Sequence, residues 1–239
     1  SLDQMFAYAV TFNQDVSGWN TINVSDMNGV FDGAASFNQD ISTWNLTNVT
    51  RMSRMFRRAV AFNQDVTGLD VSNVTNLSGM FSFHPTFNQD ITGWNVSGVT
   101  DMSSMFEGAT AFNQNISTWD VSAVRDFNAM FNGATAFNQP LAAWTLHPTL
   151  TIDMRNMFDS ATSFDQDLSG WNVANLSQAH NMFNNSGLSV SNYDILLEGW
   201  SSQSVISNVT FGAQGIYYCS VQTARDVLTT TFFWNITDG

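Results

Sequence analysis

The chain repeats itself every 25 residues, and this period constrains its fold more than any other feature. The tripeptide Phe-Asn-Gln recurs at that spacing, and a diverged Phe-Asp-Gln copy follows two residues late. The copies begin at Phe12, Phe37, Phe62, Phe87, Phe112, Phe137 and Phe164. Because one such unit cannot bury its apolar side alone, the repeat predicts a solenoid of about seven stacked coils over residues 1–186.

Each unit carries two hydrophobic periods, which the second copy shows clearly. Trp44 and Leu46 alternate with the polar Asn45, as is typical of a β-strand. The next apolar residues step mostly by three or four, which suits a short helix or 3-10 turns: Val49, Met52, Met55, Phe56 and Ala59. The pattern therefore predicts an α/β repeat solenoid, a right-handed coil with one parallel β-sheet and short helical or 3-10 segments on its other face.

The amides of the Phe-Asn-Gln tripeptide predict a structural ladder. Asn and Gln side chains in a tight turn can bond backbone groups of the adjacent coil that the bend leaves unpaired. Repetition in every coil would stack these bonds along the solenoid. Ligand binding by the same amides is the alternative interpretation.

The 25-residue period is lost at Gly187, and residues 187–239 predict a small C-terminal α/β cap. Terminal segments are expected to differ from the repeats, because an open solenoid end would expose core and strand edges. The pattern predicts a helix capped by Ser191 or Asn192, a strand at 209–211, a second helix capped by Ser220 and a strand at 232–237. A separate functional domain is the alternative.

The charge pattern argues against several functions. The chain has 7 basic residues, all of them Arg, against 20 acidic ones, and its formal net charge is −13. Such a surface repels phosphate backbones, so we expect no nucleic-acid partner. There is no lysine to serve in a P-loop or a Schiff base, and His84, His147 and His180 are isolated and expected to be exposed. We therefore predict no catalytic residue and no enzymatic activity.

Cysteine usage and hydropathy add two further expectations. Cys219 is the only cysteine, which excludes an intrachain disulfide, and its apolar context favours a buried, inert thiol. No apolar run reaches the roughly 18 residues of a membrane span, so we expect no direct membrane insertion. No signal peptide is visible, and because the chain opens inside a repeat, an export signal is expected outside this sequence.

An aspartate follows Phe-Asn-Gln in most copies. Stacked coils would bring these residues about 4.8 Å apart, and carboxylates at such a spacing could hold calcium. The column comprises Asp15, Asp40, Asp65 and Asp90, with Asp167 in the last copy. Capping of backbone N–H groups explains one aspartate per turn equally well. Calcium is the only candidate cofactor.

The residues beside each buried Trp predict a binding surface. On a strand, the residue between two inward side chains points outward. With the residue before Trp, these positions would form a sheet face of small polar groups: Asn20, Thr43, Asn45, Asp70, Asn95, Thr118, Asp120 and Asn172. Such side chains lose little conformational entropy on contact, which favours recognition of an extended protein or polymer surface.

Four of the seven Arg residues crowd one repeat, at Arg51, Arg54, Arg57 and Arg58. These positions avoid the apolar slots of the unit, so the side chains are expected to face outward. A solvated patch that balances nearby aspartates is one interpretation. A local docking spot for an anionic group is the other.

The repeat also resembles a known family. Residues 94–106, WNVSGVTDMSSMF, and residues 112–117, FNQNIS, are similar to the repeat of BspA-like leucine-rich-repeat surface proteins, including 25-residue repeats of mycoplasma and flavobacterial proteins. The similarity covers about residues 2–183, and residues 192–200 and 234–239 resemble segments that close such arrays. Departures from the pattern are Leu69 in place of Trp, the Phe83-His84-Pro85 segment and Pro140.

The resemblance implies a leucine-rich-repeat-like coil in a secreted or cell-surface protein, and it carries no defined catalytic residues. It favours a non-enzymatic adhesion or binding module whose partner is an extracellular protein, a glycan or another polymer. A structural subunit or stalk segment of an extracellular assembly, with self-association, is the competing hypothesis.

Overall fold

The computed structural model describes residues 1–239 and joins each repeat to the next by backbone hydrogen bonds. The Met27 N–H donates to the Arg51 carbonyl at 2.9 Å. Two residues later, the Gly29 N–H donates to the Ser53 carbonyl at 2.8 Å. Equivalent bonds link every successive pair of repeats up to residue 185, so each repeat lies directly against its neighbours.

Regular secondary structure is sparse and lies mostly near the C-terminus. Two parallel sheets have two strands each, β1 with β2 and β3 with β4, and isolated parallel bridges link earlier repeats through Asp26, Arg51, Asn76, Asp101, Asp126 and Asp153. The elements are β1 Ile152–Asp153, β2 Leu176–Gln178, α1 Val190–Ser201, β3 Thr210–Ala213, α2 Gln222–Asp226, a π-helical turn Val227–Thr231 and β4 Asn235–Asp238.

The strand expected at each Trp is not formed. Residues 44–46 contain no strand, and β-turn bonds flank them, from the Trp44 N–H to the Ile41 carbonyl and from Val49 to Leu46. The parallel bridges lie instead at the residue before the slot of Met52, which holds Met, Leu or Phe in the other repeats. Alternating apolar residues are compatible with a strand or with consecutive turns. In this segment, hydrogen bonds from the backbone to Asn and Asp side chains stabilise the turns.

Of the two alternatives for the segment after residue 49, a short helix or 3-10 turns, the structure forms separate turns closed by bonds to the third residue before. The Met55 N–H donates to the Met52 carbonyl, but the Phe56 N–H donates to Met80 in the next repeat at 3.0 Å. A left-handed residue interrupts the segment at Arg54, where φ is 56°. Consecutive turns also place apolar residues three or four apart, so the spacing alone does not distinguish them from a helix.

The slot of Arg54 is left-handed in every repeat, and its residue type varies. Gly29 and Gly79 adopt φ of 56° and 61°, whereas Ala129 adopts φ of 54°. The left-handed conformation strains an alanine but not a glycine.

Replacing Ala129 with glycine is therefore expected to raise the free energy of unfolding by about 0.5–1 kcal/mol. This value is the relief of backbone strain minus the cost of ordering a glycine, which is more flexible in the unfolded chain. Chemical denaturation checks this, with Ala134→Gly as the control. Ala134 is buried without positive φ, so its replacement should destabilise the protein. A loss of stability in Ala129→Gly would contradict the assignment of strain.

One continuous hydrophobic core runs through the stack. It comprises 71 buried residues, from Val16 to Ile236. Trp44 and Trp94 are buried, as predicted, and so are the apolar residues two positions later. Phe56 stacks on Phe62 of its own repeat at 4.0 Å and on Phe81 of the next at 5.9 Å between ring centroids. The aromatic residues thus form columns along the stack.

The C-terminal segment continues the same internal contacts. Trp200 of α1 donates its Nε1–H to the Leu168 carbonyl at 3.1 Å, as Trp171 does to Leu141 at 2.9 Å. A parallel bridge joins Ala179 to β3. Residues 187–239 therefore extend the stack although their sequence leaves the repeat.

Two predicted helix caps in this segment are wrong. Helix α1 begins earlier, with Ser189 as the N-cap whose hydroxyl accepts the Asn192 N–H. Helix α2 follows Val221 without a side-chain cap, because Ser220 bonds Asp194 instead. No helix of the protein combines the length and the apolar character needed to cross a membrane.

Candidate functional site

All eight residues predicted for the binding surface are exposed, and we call them the turn row. The set is Asn20, Thr43, Asn45, Asp70, Asn95, Thr118, Asp120 and Asn172. Their Asn and Asp members share one local geometry. The Asn45 Oδ1 accepts the Thr47 N–H at 3.0 Å, and the Asp70 Oδ1 accepts the Ser72 N–H at 3.0 Å. The row is therefore built from Asx turns rather than from a flat sheet.

This geometry leaves one polar group of each asparagine free. The side-chain nitrogens of Asn45 and Asn95 donate no hydrogen bond within the protein, while their oxygens hold the turns. Hydrogen bonds from Ser72 hold the pKa of Asp70 below its ordinary value. The turn row thus presents amide donors and carboxylates at one position in successive repeats.

The threonines before Trp differ from one another. Thr43 donates its hydroxyl to the Ser17 carbonyl of the preceding repeat at 2.6 Å. The Thr118 side chain makes no hydrogen bond within the protein, and Ala143 occupies the same slot in the following repeat. Substitution at residues 118 and 143 can therefore change the surface without removing a structural bond.

The predicted calcium column also forms turns. The oxygens of Asp15, Asp40 and Asp65 each accept the backbone N–H two residues later, at 2.8 Å. Asp90 accepts both the N–H and the hydroxyl of Thr92. These bonds lower the pKa of Asp90. The bonds observed at this column are therefore those of capping, and no three carboxylate, histidine or cysteine side chains lie together as a metal-binding group.

The Phe-Asn-Gln ladder is confirmed as a structural feature. The Asn38 Oδ1 accepts the Asn63 N–H of the next repeat at 2.9 Å. It also accepts the Gln64 side-chain amide at 2.9 Å. The same pair of bonds recurs from Asn13 through to Gln166, except at Asn63, which accepts the Gln89 side-chain amide alone. These amides bind neighbouring repeats to each other and satisfy the backbone at the bend.

Two predictions about nucleophiles and bases are wrong. His84 is fully buried, in a slot that other repeats fill with alanine, and neither of its ring nitrogens makes a hydrogen bond. Burial lowers the pKa of His84 to about 4. Cys219 is exposed rather than buried, because its apolar neighbours do not enclose it. The residues adjacent in sequence do not predict the exposure of His84 or Cys219, because that exposure depends on how neighbouring repeats pack against them.

Arg51, Arg54 and Arg58 are exposed, as predicted, whereas Arg57 is half-buried, and only part of the cluster is paired. Arg51 pairs with Asp26, and Arg57 lies 3.4 Å from Asp32. The Arg58 guanidinium lies over the Phe83 ring at 5.2 Å. Arg54 pairs with no acidic group. Balancing of nearby aspartates thus explains two of the four side chains.

Arg54 and Arg57 border a cleft of about 190 Å³ that the sequence does not predict. Its other walls come from the next two repeats and include Ser78, Ser104 and Glu107. The sequence signal for this depression is a change in residue size. The large Arg54 is followed at the same repeat position by the small Gly79 and Ser104.

The stacked 25-residue units, with a surface of regular turns, define a tandem-repeat protein. The chain belongs to the family described as "Mycoplasma protein of unknown function, DUF285", whose model matches residues 1–92 and 75–200. The predicted resemblance to mycoplasma repeat proteins is thereby confirmed at the level of this family. No curated protein and no solved structure matches the chain.

Proposed function

We propose that this chain is a non-enzymatic binding module, secreted or held at a cell surface, that recognises an extracellular protein or polymer. The observation that carries the proposal is the turn row, which presents the amide donors of Asn45 and Asn95 and, in the repeat between them, the carboxylate of Asp70. Regular repeat surfaces suit extended partners, and rigid turns lose little entropy on binding.

We further propose that the repeats form a right-handed, BspA-like leucine-rich-repeat solenoid with an adhesive role. The repeat motif and the bonding of each repeat to the next support the solenoid. The family match and the repeat motif support the relationship to mycoplasma-type proteins.

A double substitution tests the turn row. Thr118→Arg with Ala143→Arg adds bulk and charge at two exposed, unbonded positions, so it is expected to weaken partner binding by at least about 10-fold without unfolding the chain. A partner is first selected by screening immobilised extracellular-matrix proteins and glycans, and its affinity is then measured by surface plasmon resonance.

The matched control, Thr110→Arg with Thr135→Arg, adds the same charge at exposed positions after the Met-Phe segment. It should leave affinity unchanged. Equal loss in both variants would indicate a non-specific charge effect and would remove the turn row as the site. Circular dichroism melts verify that both variants are folded.

A structural subunit of an extracellular assembly is the second candidate, because exposed apolar side chains can join one copy of the chain to another. Met5, Tyr8 and Val10 are more than half exposed at the N-terminal end, and so is Phe233 at the other end. Size-exclusion chromatography over a range of concentrations distinguishes the two. A stable monomer favours the binding module, and concentration-dependent polymers favour the assembly.

A further inference from the structure

The cleft beside Arg54 and Arg57 spans three consecutive repeats. The Arg58 N–H donates to the Ser82 carbonyl, and the Phe83 N–H donates to the Glu107 carbonyl, which fixes the order of the three coils. The arginines lie in the first coil, small residues in the second, and Glu107 in the third. The cleft therefore has a positive side and a negative side that are two coils apart.

Arg54 and Glu107 lack charged partners within the protein, and Arg57 has only a long contact to one. Arg54 donates no side-chain hydrogen bond, and its slot holds glycine in both neighbouring repeats. Arg57 makes one long contact of 3.4 Å to Asp32. The Glu107 carboxylate takes part in no ion pair or hydrogen bond. A ligand that carries both charges can thus satisfy both sides, whereas a simple anion would meet repulsion from Glu107.

The serines of the cleft supply neutral polar contacts between these charges. Ser78 and Ser103 already donate their hydroxyls to the side chains of Asn76 and Asp101, respectively. The Ser104 hydroxyl makes no hydrogen bond within the protein. It is therefore free to bond the backbone of a bound chain.

The only aromatic residue of the cleft, Phe83, is 40% exposed, but its ring is partly occupied by neighbouring residues. Arg58 covers the Phe83 ring at 5.2 Å from its centroid. A Cβ atom added at Gly108 would lie 3.0 Å from the Phe83 Cδ1, so Gly108 packs closely against the ring. These contacts favour a peptide over an acidic glycan, for which an open aromatic face would be expected.

We propose that this cleft binds a peptide segment of a partner protein that carries an acidic and a basic side chain on the same face. The acidic side chain meets Arg54 and Arg57, and the basic side chain meets Glu107. In an extended peptide, alternate side chains point the same way and lie about 7 Å apart. Because the acidic and the basic side chain of the peptide are both flexible and several bonds long, they can reach opposite sides of the cleft. The inference rests on the proposed binding function and adds a second contact region to the turn row.

The probe is an acetylated, amidated peptide of sequence Gly-Asp-Gly-Lys-Gly, titrated into the full chain by isothermal calorimetry. Arg54→Gly is expected to weaken binding about 10-fold, the usual effect of losing one charge-assisted hydrogen bond. Because glycine occupies this slot in both neighbouring repeats, the variant should fold at least as well as the parent. Glu107→Gln should weaken this peptide similarly and improve binding of the Gly-Asp-Gly-Asp-Gly peptide.

Arg51→Asn is the matched control, because it removes the same charge outside the cleft and introduces the residue found at Asn76. It should leave the affinity unchanged. Equal affinity of the parent and Arg54→Gly, absence of binding at millimolar peptide, or tighter binding of glucuronate than of the peptide would each overturn the proposal. These titrations do not involve residues 118 and 143, so failure here is distinct from failure of the turn row.

Discussion

Replacing Trp94 with alanine is expected to lower the free energy of unfolding by about 3–5 kcal/mol. The Trp94 side chain is 4% exposed, and its Nε1–H donates to the Val66 carbonyl of the preceding repeat at 3.0 Å. The substitution removes a large buried ring and leaves a cavity between coils that pack against each other. Urea denaturation followed by circular dichroism measures the loss.

Two variants control this experiment. Trp94→Leu introduces the residue that Leu69 provides in the same slot, so it should cost clearly less than alanine. Asn95→Ala removes an exposed side chain that holds one Asx turn, and it should cost about 1 kcal/mol, the value of one hydrogen bond. Similar losses for Trp94→Ala and Asn95→Ala would contradict the assignment of Trp94 to the core.

Mild acid is expected to destabilise the protein through His84. Burial lowers the pKa of this imidazole from 6.5 to about 4. Below pH 6.5 the unfolded chain takes up a proton at His84 that the folded chain refuses until about pH 4. The free energy of unfolding therefore decreases as the pH falls from 6.5 to about 4, by about 3 kcal/mol in total.

The matched variant is His84→Ala, which introduces the residue found at Ala59 and Ala109. Between pH 6.5 and 4, its free energy of unfolding should depend much less on pH than that of the parent. Burial raises the pKa of Asp126, which acts in the opposite direction but equally in both proteins. Parallel pH profiles of parent and variant would show that His84 is not the responsible group.

The sequence by itself determined the repeat and the side chains that enter the core. The 25-residue period implies stacking, because one unit has too few apolar residues to enclose them. Trp44 and Phe56 could be assigned to the interior from their spacing alone. The Asn-Gln ladder was also predictable, because identical amides at one position in stacked coils can reach each other.

Only the tertiary structure decided the backbone conformation. An apolar spacing of three or four fits a helix or consecutive turns, and the difference lies in the acceptor that each N–H reaches. For Phe56, that acceptor is the Met80 carbonyl in another repeat, 24 residues away. The sequence likewise predicts Asn45 as the outward residue of a strand, but in the structure its side-chain oxygen accepts the Thr47 N–H and holds a turn.

The burial of His84 and the shape of the cleft also depend on side chains from neighbouring repeats. An imidazole in an alanine slot is enclosed only because the adjacent repeats pack around it. The cleft exists because Arg54 and Arg57 are followed by small residues in the next coil and by Glu107 beyond it. Such sites arise from size and charge differences between positions about 25 residues apart, and stacking is the physical reason that these positions meet.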